Sequence, residues 1–249
     1  MKFEILQEPA GSGAYQMQRD WELLESAAKG GKVGVVRFYK WDKPTISLGY
    51  HQKESMLLLD EMEADAVPWV RRPTGGAAVL HSEELTYAVA CPKAERQQTA
   101  SLVLEYVGRA ITEGLRAIGV DAQLEPRGEP LSALPNRTMC FVRTSRWEVT
   151  ANGRKIVGSA QRKYEGAILQ HGSILIGSDH LRIAEYLRLK SEHDRMILRE
   201  KLNARSTSVE QETGQVIPDA EIREQMERSF RAVFGELTER LTALGALKL

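Results

Sequence analysis

Apolar side chains recur at helical spacing in three stretches of the chain. Residues 14–28 carry one such stripe, and residues 101–118 carry a clearer one that Gly119 stops, so both stretches are predicted to be helices. A third stripe lies near the C terminus and consists of Ile222, Met226, Phe230, Phe234, Leu237, Leu241 and Leu244.

Short runs of β-branched and aromatic residues lie between the helical stretches. Asn152-Gly153 separates two of them and predicts a tight hairpin, because both residues tolerate positive φ. The proline-rich stretch 125–138 predicts a long surface loop. The runs predicted to be strands are 33–38, 45–50, 67–71, 77–80, 85–90, 141–149, 154–158, 166–170 and 173–176.

This order of elements predicts an α+β fold with a mixed β-sheet flanked by helices. We interpret residues 1–249 as a single domain with a core over about 1–180. A charged, helical C-terminal region over 181–249 follows it.

The composition narrows the class of protein. With 34 Lys and Arg against 34 Asp and Glu the net charge is zero, which argues against a nucleic-acid-binding protein that depends on phosphate contacts. Two cysteines are too few for a disulfide framework, which favours a reducing compartment. Charges interrupt the N terminus, and no apolar run is long enough to span a membrane. We therefore expect a cytoplasmic protein without membrane contact, and by default a monomer.

Arg71-Arg72 followed by Gly75-Gly76 is the first candidate for chemistry. Two arginines can clamp a phosphate or a carboxylate, and adjacent glycines let the backbone approach a ligand closely. The spacing is that of neither a P-loop nor a dinucleotide fingerprint. A plain glycine turn with two solvated arginines is the alternative interpretation.

Cys140 and Lys155 are the second candidate. Cys140 lies between the irregular stretch and a predicted strand, and Lys155 follows the Asn-Gly turn. An ammonium beside a thiol lowers the thiol pKa, and a thiolate can attack a thioester. The alternative is an inert buried cysteine and a surface lysine.

The remaining candidates are His81 and His171. Each could act as a general base or an oxyanion donor, and each could equally be a hydrogen-bonded structural histidine. The cysteines and histidines have no zinc-ligand spacing, so no metal site is predicted. Cys91 is interpreted as structural.

Several motifs occur together in an order that resembles the biotin/lipoate protein ligase superfamily. Arg71-Arg72-x-x-Gly75-Gly76-x-x-Val79-x-His81 resembles its arginine-glycine signature, and Gln16-Met17-x-x-Asp20 resembles its first-helix motif. The segments 153–161 and 169–174 resemble its lysine segment and the strand that follows. The resemblance covers about residues 1–235 and implies the catalytic-domain fold of that superfamily.

Cys140, 15 residues before Lys155, resembles the branch of octanoyl-acyl carrier protein:protein N-octanoyltransferases that use an acyl-cysteine. That resemblance implies that Cys140 takes the octanoyl group from octanoyl-acyl carrier protein. The octanoyl group then passes from Cys140 to the lysine of a lipoyl-domain protein, either the glycine-cleavage H protein or a 2-oxoacid dehydrogenase E2. The resemblance implies no cofactor.

The same resemblance implies that Lys155 lowers the pKa of Cys140 and stabilises the developing oxyanion. It also implies that Gly75, Gly76 and Ala77 line an acyl tunnel and that His81 packs near the reacting carbonyl. The full set of implied substrate-binding residues is Arg72, Gly75, Gly76, Ala77, His81, Gly158, Ser159, Ala160 and His171.

Three other functions stay open at this point. An ATP-dependent lipoate ligase would use free lipoate and would not need Cys140. An amidotransferase would move octanoyl groups between lipoyl domains with the same cysteine and lysine. A non-catalytic member of the superfamily would bind lipoyl domains without forming an acyl adduct.

Overall fold

The structure, a computed structural model, describes residues 2–30, 33–92, 99–126 and 147–243. Over these residues no helix combines the length and the apolar character that a membrane span requires. The strands are β1 (Lys2–Gln7), β2 (Val33–Tyr39), β3 (Thr45–Leu48), β4 (Trp69–Arg71), β5 (Val79–His81), β6 (Glu84–Pro92), β7 (Ala122–Glu125), β8 (Glu148–Ala151), β9 (Arg154–Lys155), β10 (Val157–Tyr164) and β11 (Ala167–Leu175).

The helices flank these strands and become frequent toward the C terminus. They are α1 (Gly13–Ala28), α2 (Leu59–Ala64), α3 (Thr99–Ala117), α4 (Ile183–Tyr186), α5 (Glu192–Arg205), α6 (Val209–Thr213) and α7 (Asp219–Ala243).

The largest sheet has five strands in the order β1-β2-β6-β11-β10. β1 and β2 are parallel, and the other neighbours are antiparallel. Two three-stranded sheets, β4-β3-β5 and β7-β8-β9, complete the described strands. This is the α+β architecture with mixed sheets that the sequence predicts.

Alternation along β6 explains why helices cover both faces of the large sheet. Tyr87 and Val89 point to the face that packs against α3 and α7. Ala88 and Ala90 point to the other face, where their small side chains leave room for α1 and its buried Leu24. Both faces are buried, and β6 is apolar along almost its whole length for that reason.

The predicted hairpin is present. Asn152 and Gly153 have φ angles of 48° and 71°, and they join β8 to β9. The helices predicted at 14–28 and 101–118 correspond to α1 and α3 within two residues. Residues 127–138 of the predicted loop, residues 141–146 of the predicted strand 141–149 and Leu244 lie outside the described residues, whereas Glu125, predicted to begin the loop, ends β7.

The predicted strand 154–158 divides between β9 and β10, which continues to Tyr164, and β11 also differs from its prediction. The runs 166–170 and 173–176 form a single strand, β11, that continues through Gly172. Gly172 lies opposite Tyr87 on one side and Ser159 on the other. A Cβ at Gly172 would lie 2.9 Å from the Tyr87 ring, so the glycine marks a close approach within the strand.

The C-terminal helix α7 shares one hydrophobic core with α3 and the large sheet. The Phe230 ring packs edge-on against Phe38 at 5.1 Å and is fully buried. The described part of the predicted stripe faces inward, because its six residues from Ile222 to Leu241 are all buried. The division near residue 180 stays a prediction.

Phe230→Ala should lower the free energy of unfolding by about 3–5 kcal/mol, because it removes a buried ring from this shared core. Urea denaturation followed by circular dichroism measures the change. Arg231→Ala is the matched control, since Arg231 is an exposed neighbour, and its effect should stay within about 0.5 kcal/mol. Equal effects of the two substitutions would show that α7 does not stabilise the core.

Candidate active site

A small cavity lies between α1, the five-stranded sheet and the sheet β4-β3-β5. Six of the predicted substrate-binding residues line it: Arg72, His81, Gly158, Ser159, Ala160 and His171. The complete lining is Met17, Tyr39, Trp41, Ser47, Arg72, Val79, His81, Thr86, Gly158, Ser159, Ala160, His171, Gly172 and Ser173.

His81 is held in place on one wall by a hydroxyl and a carboxylate. Its Nε2 lies 2.7 Å from Ser47 Oγ, and its Nδ1 lies 2.8 Å from Glu84 Oε1. Trp41 stacks on the imidazole with the ring centres 4.0 Å apart. Burial raises the pKa of Glu84, but His81 and the hydroxyl groups of Thr86 and Ser173 outweigh burial, so the pKa is lowered overall.

His171 is held on the opposite wall by a similar arrangement. Its Nε2 lies 2.6 Å from Thr74 Oγ1, and its Nδ1 lies 2.8 Å from Asp20 Oδ2. Asp20 also binds Arg37 at 2.7 Å and accepts a hydrogen bond from the Tyr39 hydroxyl. Burial and the Asp20 charge raise the pKa of Tyr39 well above its ordinary value. Tyr39 therefore stays a neutral donor.

Arg72 is buried and binds the backbone around it. It donates to the carbonyl oxygens of Ser47, Gly75 and Ala77. Among the described residues Gly75, Gly76 and Ala77 do not line the cavity. Two of these three residues hold the Arg72 guanidinium instead, and their contact with substrate stays a prediction.

The glycines of this loop allow a close backbone approach. A Cβ at Gly49 would lie 2.0 Å from the Gly76 carbonyl oxygen, and Gly76 itself has a φ of 94°. The adjacent glycines therefore let the loop fold tightly around Arg72.

Lys155 is buried at the base of the predicted hairpin. Its Nζ lies 2.6 Å from Glu148 Oε1, and both side chains are at most 6% exposed. β10, which supplies Gly158, Ser159 and Ala160 to the cavity wall, begins two residues after Lys155. The structure therefore brings a buried cation next to the strand that borders the cavity.

Tyr87 contacts the cavity wall. Its hydroxyl lies 2.7 Å from Ser159 Oγ, across the space that Gly172 leaves open. Burial raises the pKa of Tyr87 to about 12, with a smaller contribution from the nearby Glu148 carboxylate. The hydroxyl is thus protonated throughout the neutral range.

The sequence did not single out Glu148 as a partner of Lys155, although the signal is there. A two-residue turn at Asn152-Gly153 pairs Thr150 with Lys155. Residues two apart on a strand share a face, so Glu148 lies diagonally opposite Lys155. Asp20 and Glu84 carried no such local signal, because their partners are distant or depend on the sheet.

The two cysteines differ in what the structure describes. Cys91 is buried, and burial raises its pKa to about 12, which agrees with a structural role. Cys140 lies outside the described residues, so its role stays a prediction. Within the described part of the chain no group of three or more His, Cys, Asp or Glu side chains could hold a metal ion.

Comparison with known proteins identifies relatives of this chain. The family model of the lipoyl protein ligase A/B catalytic domain matches residues 12–231. The octanoyltransferase LipM of Kyrpidia tusciae is 32% identical over 243 residues, which cover 95% of this chain and 89% of that protein. The octanoyltransferase LipM of Halalkalibacterium halodurans is 38% identical over 189 residues, 73% of this chain and 68% of that protein.

Solved structures share the fold. The bipartite lipoate protein ligase of Thermoplasma acidophilum, solved in a study with its E2 lipoyl domain, has a TM-score of 0.72 at 22% identity. It covers 94% of this chain and 84% of its own. A lipoate-protein ligase A bound with ATP has a TM-score of 0.70 at 24% identity, covering 94% and 86%.

Asp20→Asn should lower the free energy of unfolding by about 3–5 kcal/mol, because it removes one partner of a buried ion pair with Arg37. Equilibrium urea denaturation at pH 7 measures the loss. Glu22→Gln, on the exposed face of the same helix, is the control and should change it by less than about 0.5 kcal/mol. A loss from Asp20→Asn no larger than that of the control would contradict the role given to this pair.

Proposed function

The chain belongs to the lipoyl protein ligase A/B catalytic-domain family and is an acyltransferase of its octanoyltransferase branch, and from this premise we propose the donor, the intermediate and the acceptor of its reaction. The chain transfers an octanoyl group in lipoate biosynthesis. The proposed donor is octanoyl-acyl carrier protein, the intermediate is an octanoyl thioester on Cys140, and the acceptor is a lipoyl-domain lysine.

The proposed reaction has two half-reactions. The Cys140 thiolate attacks the thioester carbonyl of the donor, and the carrier thiolate leaves and takes up the proton that Cys140 lost. The neutral ε-amine of the acceptor lysine then attacks the octanoyl-cysteine. An amide forms, the Cys140 thiolate leaves, and the amine releases a proton. The donor thioester supplies the activation, so neither ATP nor a metal enters either step.

The observation that carries this proposal is the position of Lys155. A buried lysine lies two residues before the strand that lines the cavity, and Glu148 keeps its ammonium in one orientation. The Glu148 carboxylate offsets part of that charge, but the ammonium has further N–H donors, and a hydrogen bond from it favours a thiolate over a thiol and an oxyanion over a neutral carbonyl. We therefore assign to Lys155 the lowering of the Cys140 pKa and the stabilisation of the tetrahedral intermediate.

The cavity walls support binding of the acyl chain. Gly158, Ser159 and Ala160 keep the wall next to Lys155 free of large side chains, and Val79 adds an apolar surface. His81 is fixed by Ser47 and Glu84, and we propose that it packs near the reacting carbonyl.

The acceptor that we propose is the glycine-cleavage H protein, with a 2-oxoacid dehydrogenase E2 as the alternative. Both present one lysine on a lipoyl domain, and the same second half-reaction serves either. We further propose that the chain acts as a monomer in the cytoplasm, where carrier protein and acceptors meet.

Incubation with octanoyl-acyl carrier protein alone should add one octanoyl group to the protein, as seen in its intact mass. Hydroxylamine should remove the group, because it cleaves thioesters. Cys140→Ala should show no adduct, whereas Cys91→Ala, which changes the buried cysteine, should still be acylated.

Other results would point to the other functions. Activity with free lipoate and ATP that survives Cys140→Ala would indicate a ligase. Acylation by an octanoylated lipoyl domain, but not by carrier protein, would indicate an amidotransferase. An unchanged mass with every donor would indicate a binding protein.

Replacing the buried pair, as Lys155→Met with Glu148→Gln, should slow Cys140 acylation at least about tenfold at pH 7, because less thiolate is present. The rate should recover as the pH rises through the ordinary pKa of a thiol. Replacing both partners leaves no buried carboxylate without its cation. Quenched time courses of Cys140 acylation between pH 6 and pH 10 measure how the rate depends on pH.

Lys163→Met provides the matched control, since Lys163 is an exposed lysine on β10. Its pH profile should match that of the unchanged protein. If the double variant is slowed equally at every pH, Lys155 does not act on the thiol pKa.

A further inference from the structure

An open groove of about 630 Å³ lies beside the cavity. Met17 and Arg72 line both, so the groove and the cavity are neighbours that share a wall. α1 forms one side of the groove with Trp21, and the segment from Trp69 to Pro73 forms another. Any substrate that reaches the cavity along this side must occupy the groove.

The groove concentrates positive charge in a chain whose net charge is zero. Arg71, Arg72 and Arg162 line it, and its lining contains no aspartate or glutamate. Among the residues that the structure describes, no carboxylate forms an ion pair with Arg71 or Arg162, unlike the buried Arg37. The groove therefore carries a local positive potential that favours an anion.

Arg71 and Arg162 each donate hydrogen bonds to backbone carbonyl oxygens through a single guanidinium nitrogen, Nη1. Arg71 Nη1 donates to the carbonyl oxygens of Gly49, Tyr50 and Gln52, and Arg162 Nη1 donates to that of Pro73 at 2.7 Å. Within the described chain, Nε and Nη2 of each arginine have no recorded hydrogen-bond acceptor. Each guanidinium is thus fixed in place with donors to spare, the arrangement that suits a phosphate oxygen.

Aromatic rings fix Arg162 further. Its guanidinium carbon lies 4.8 Å from the centre of the Tyr50 ring and 5.2 Å from that of Trp21. These contacts orient the guanidinium without neutralising it. The rings also give the groove an apolar surface beside its charge.

We propose that this groove binds the phosphodiester of the carrier's phosphopantetheine arm, with Arg71 and Arg162 as its ligands. The proposal rests on the proposed function, which requires an acyl carrier protein as donor. Such an arm is narrow, carries its single anionic group apart from the thioester, and has to run from the surface to the cavity. The groove matches these properties in its charge, its apolar rings and its position beside the cavity.

The test compares two soluble donors, octanoyl-4′-phosphopantetheine and octanoyl-pantetheine, which differ only in the phosphate. The second-order rate of Cys140 acylation should be about 10 to 100 times higher with the phosphorylated donor, the effect of one or two charge-assisted hydrogen bonds. In the variant Arg71→Gln with Arg162→Gln, the ratio of the two rates should fall toward one. Raising the ionic strength should reduce the ratio in the unchanged protein.

Arg199→Gln is the matched control, because it removes one positive charge from an exposed arginine that does not line the groove. Its ratio should equal that of the unchanged protein. Arg71→Lys with Arg162→Lys retains both charges and should keep part of the ratio. Circular dichroism melting curves confirm that each variant is folded.

Three results would overturn the proposal while leaving the acyl-cysteine mechanism intact. Both donors could acylate the unchanged protein equally fast. The glutamine variant could slow both donors equally, which would mean that the arginines only hold the loop. The variant could be acylated normally and slow only the transfer to a lipoyl domain, which would assign the groove to the acceptor. Absence of acylation by every donor would instead refute the proposed function.

Discussion

The buried ion pair between Arg37 and Asp20 is the constraint on which the site depends. Both side chains are fully buried, and each charge offsets part of the other's loss of water, while Glu8 Oε2 also pairs with Arg37 at 2.7 Å. Arg37 lies on β2 and Asp20 on α1, and Asp20 extends the contact to His171 on β11. His171 in turn binds Thr74 in the arginine-glycine loop. One charge pair therefore fixes a helix, two strands of the sheet and the loop that borders the cavity.

The cavity contains histidines, but their surroundings make them parts of the wall. Each has one ring nitrogen on a carboxylate and the other on a hydroxyl, so both nitrogens of His81 and of His171 are occupied within the protein. A general base needs a nitrogen available to the reacting group. Lys155 is therefore the better candidate for acting on charge at the reacting centre, and the histidines shape the wall of the cavity.

Much of this arrangement could be predicted from the sequence, and the exceptions have physical causes. Helical and strand periodicity gave the elements around the site, and Asn152-Gly153 gave the hairpin that carries Lys155. Gly172 was misleading, because a glycine there predicts the end of a strand. In the structure the strand continues, and the glycine allows the Tyr87 ring to lie close to its backbone. The contact of His171 with Asp20 joins residues 151 positions apart, so no local pattern encodes it.

The distribution of charge changes what a net charge of zero means for this chain. Where a cation is buried, as at Arg37 and Lys155, a carboxylate lies beside it. Arg72 is buried as well and donates to the carbonyl oxygens of Ser47, Gly75 and Ala77. Arg71 and Arg162 lie beside it without a carboxylate among the groove residues. Positive charge therefore accumulates at the entrance to the cavity, because the fold anchors these arginines with dipoles and aromatic rings, which hold a guanidinium without cancelling its charge.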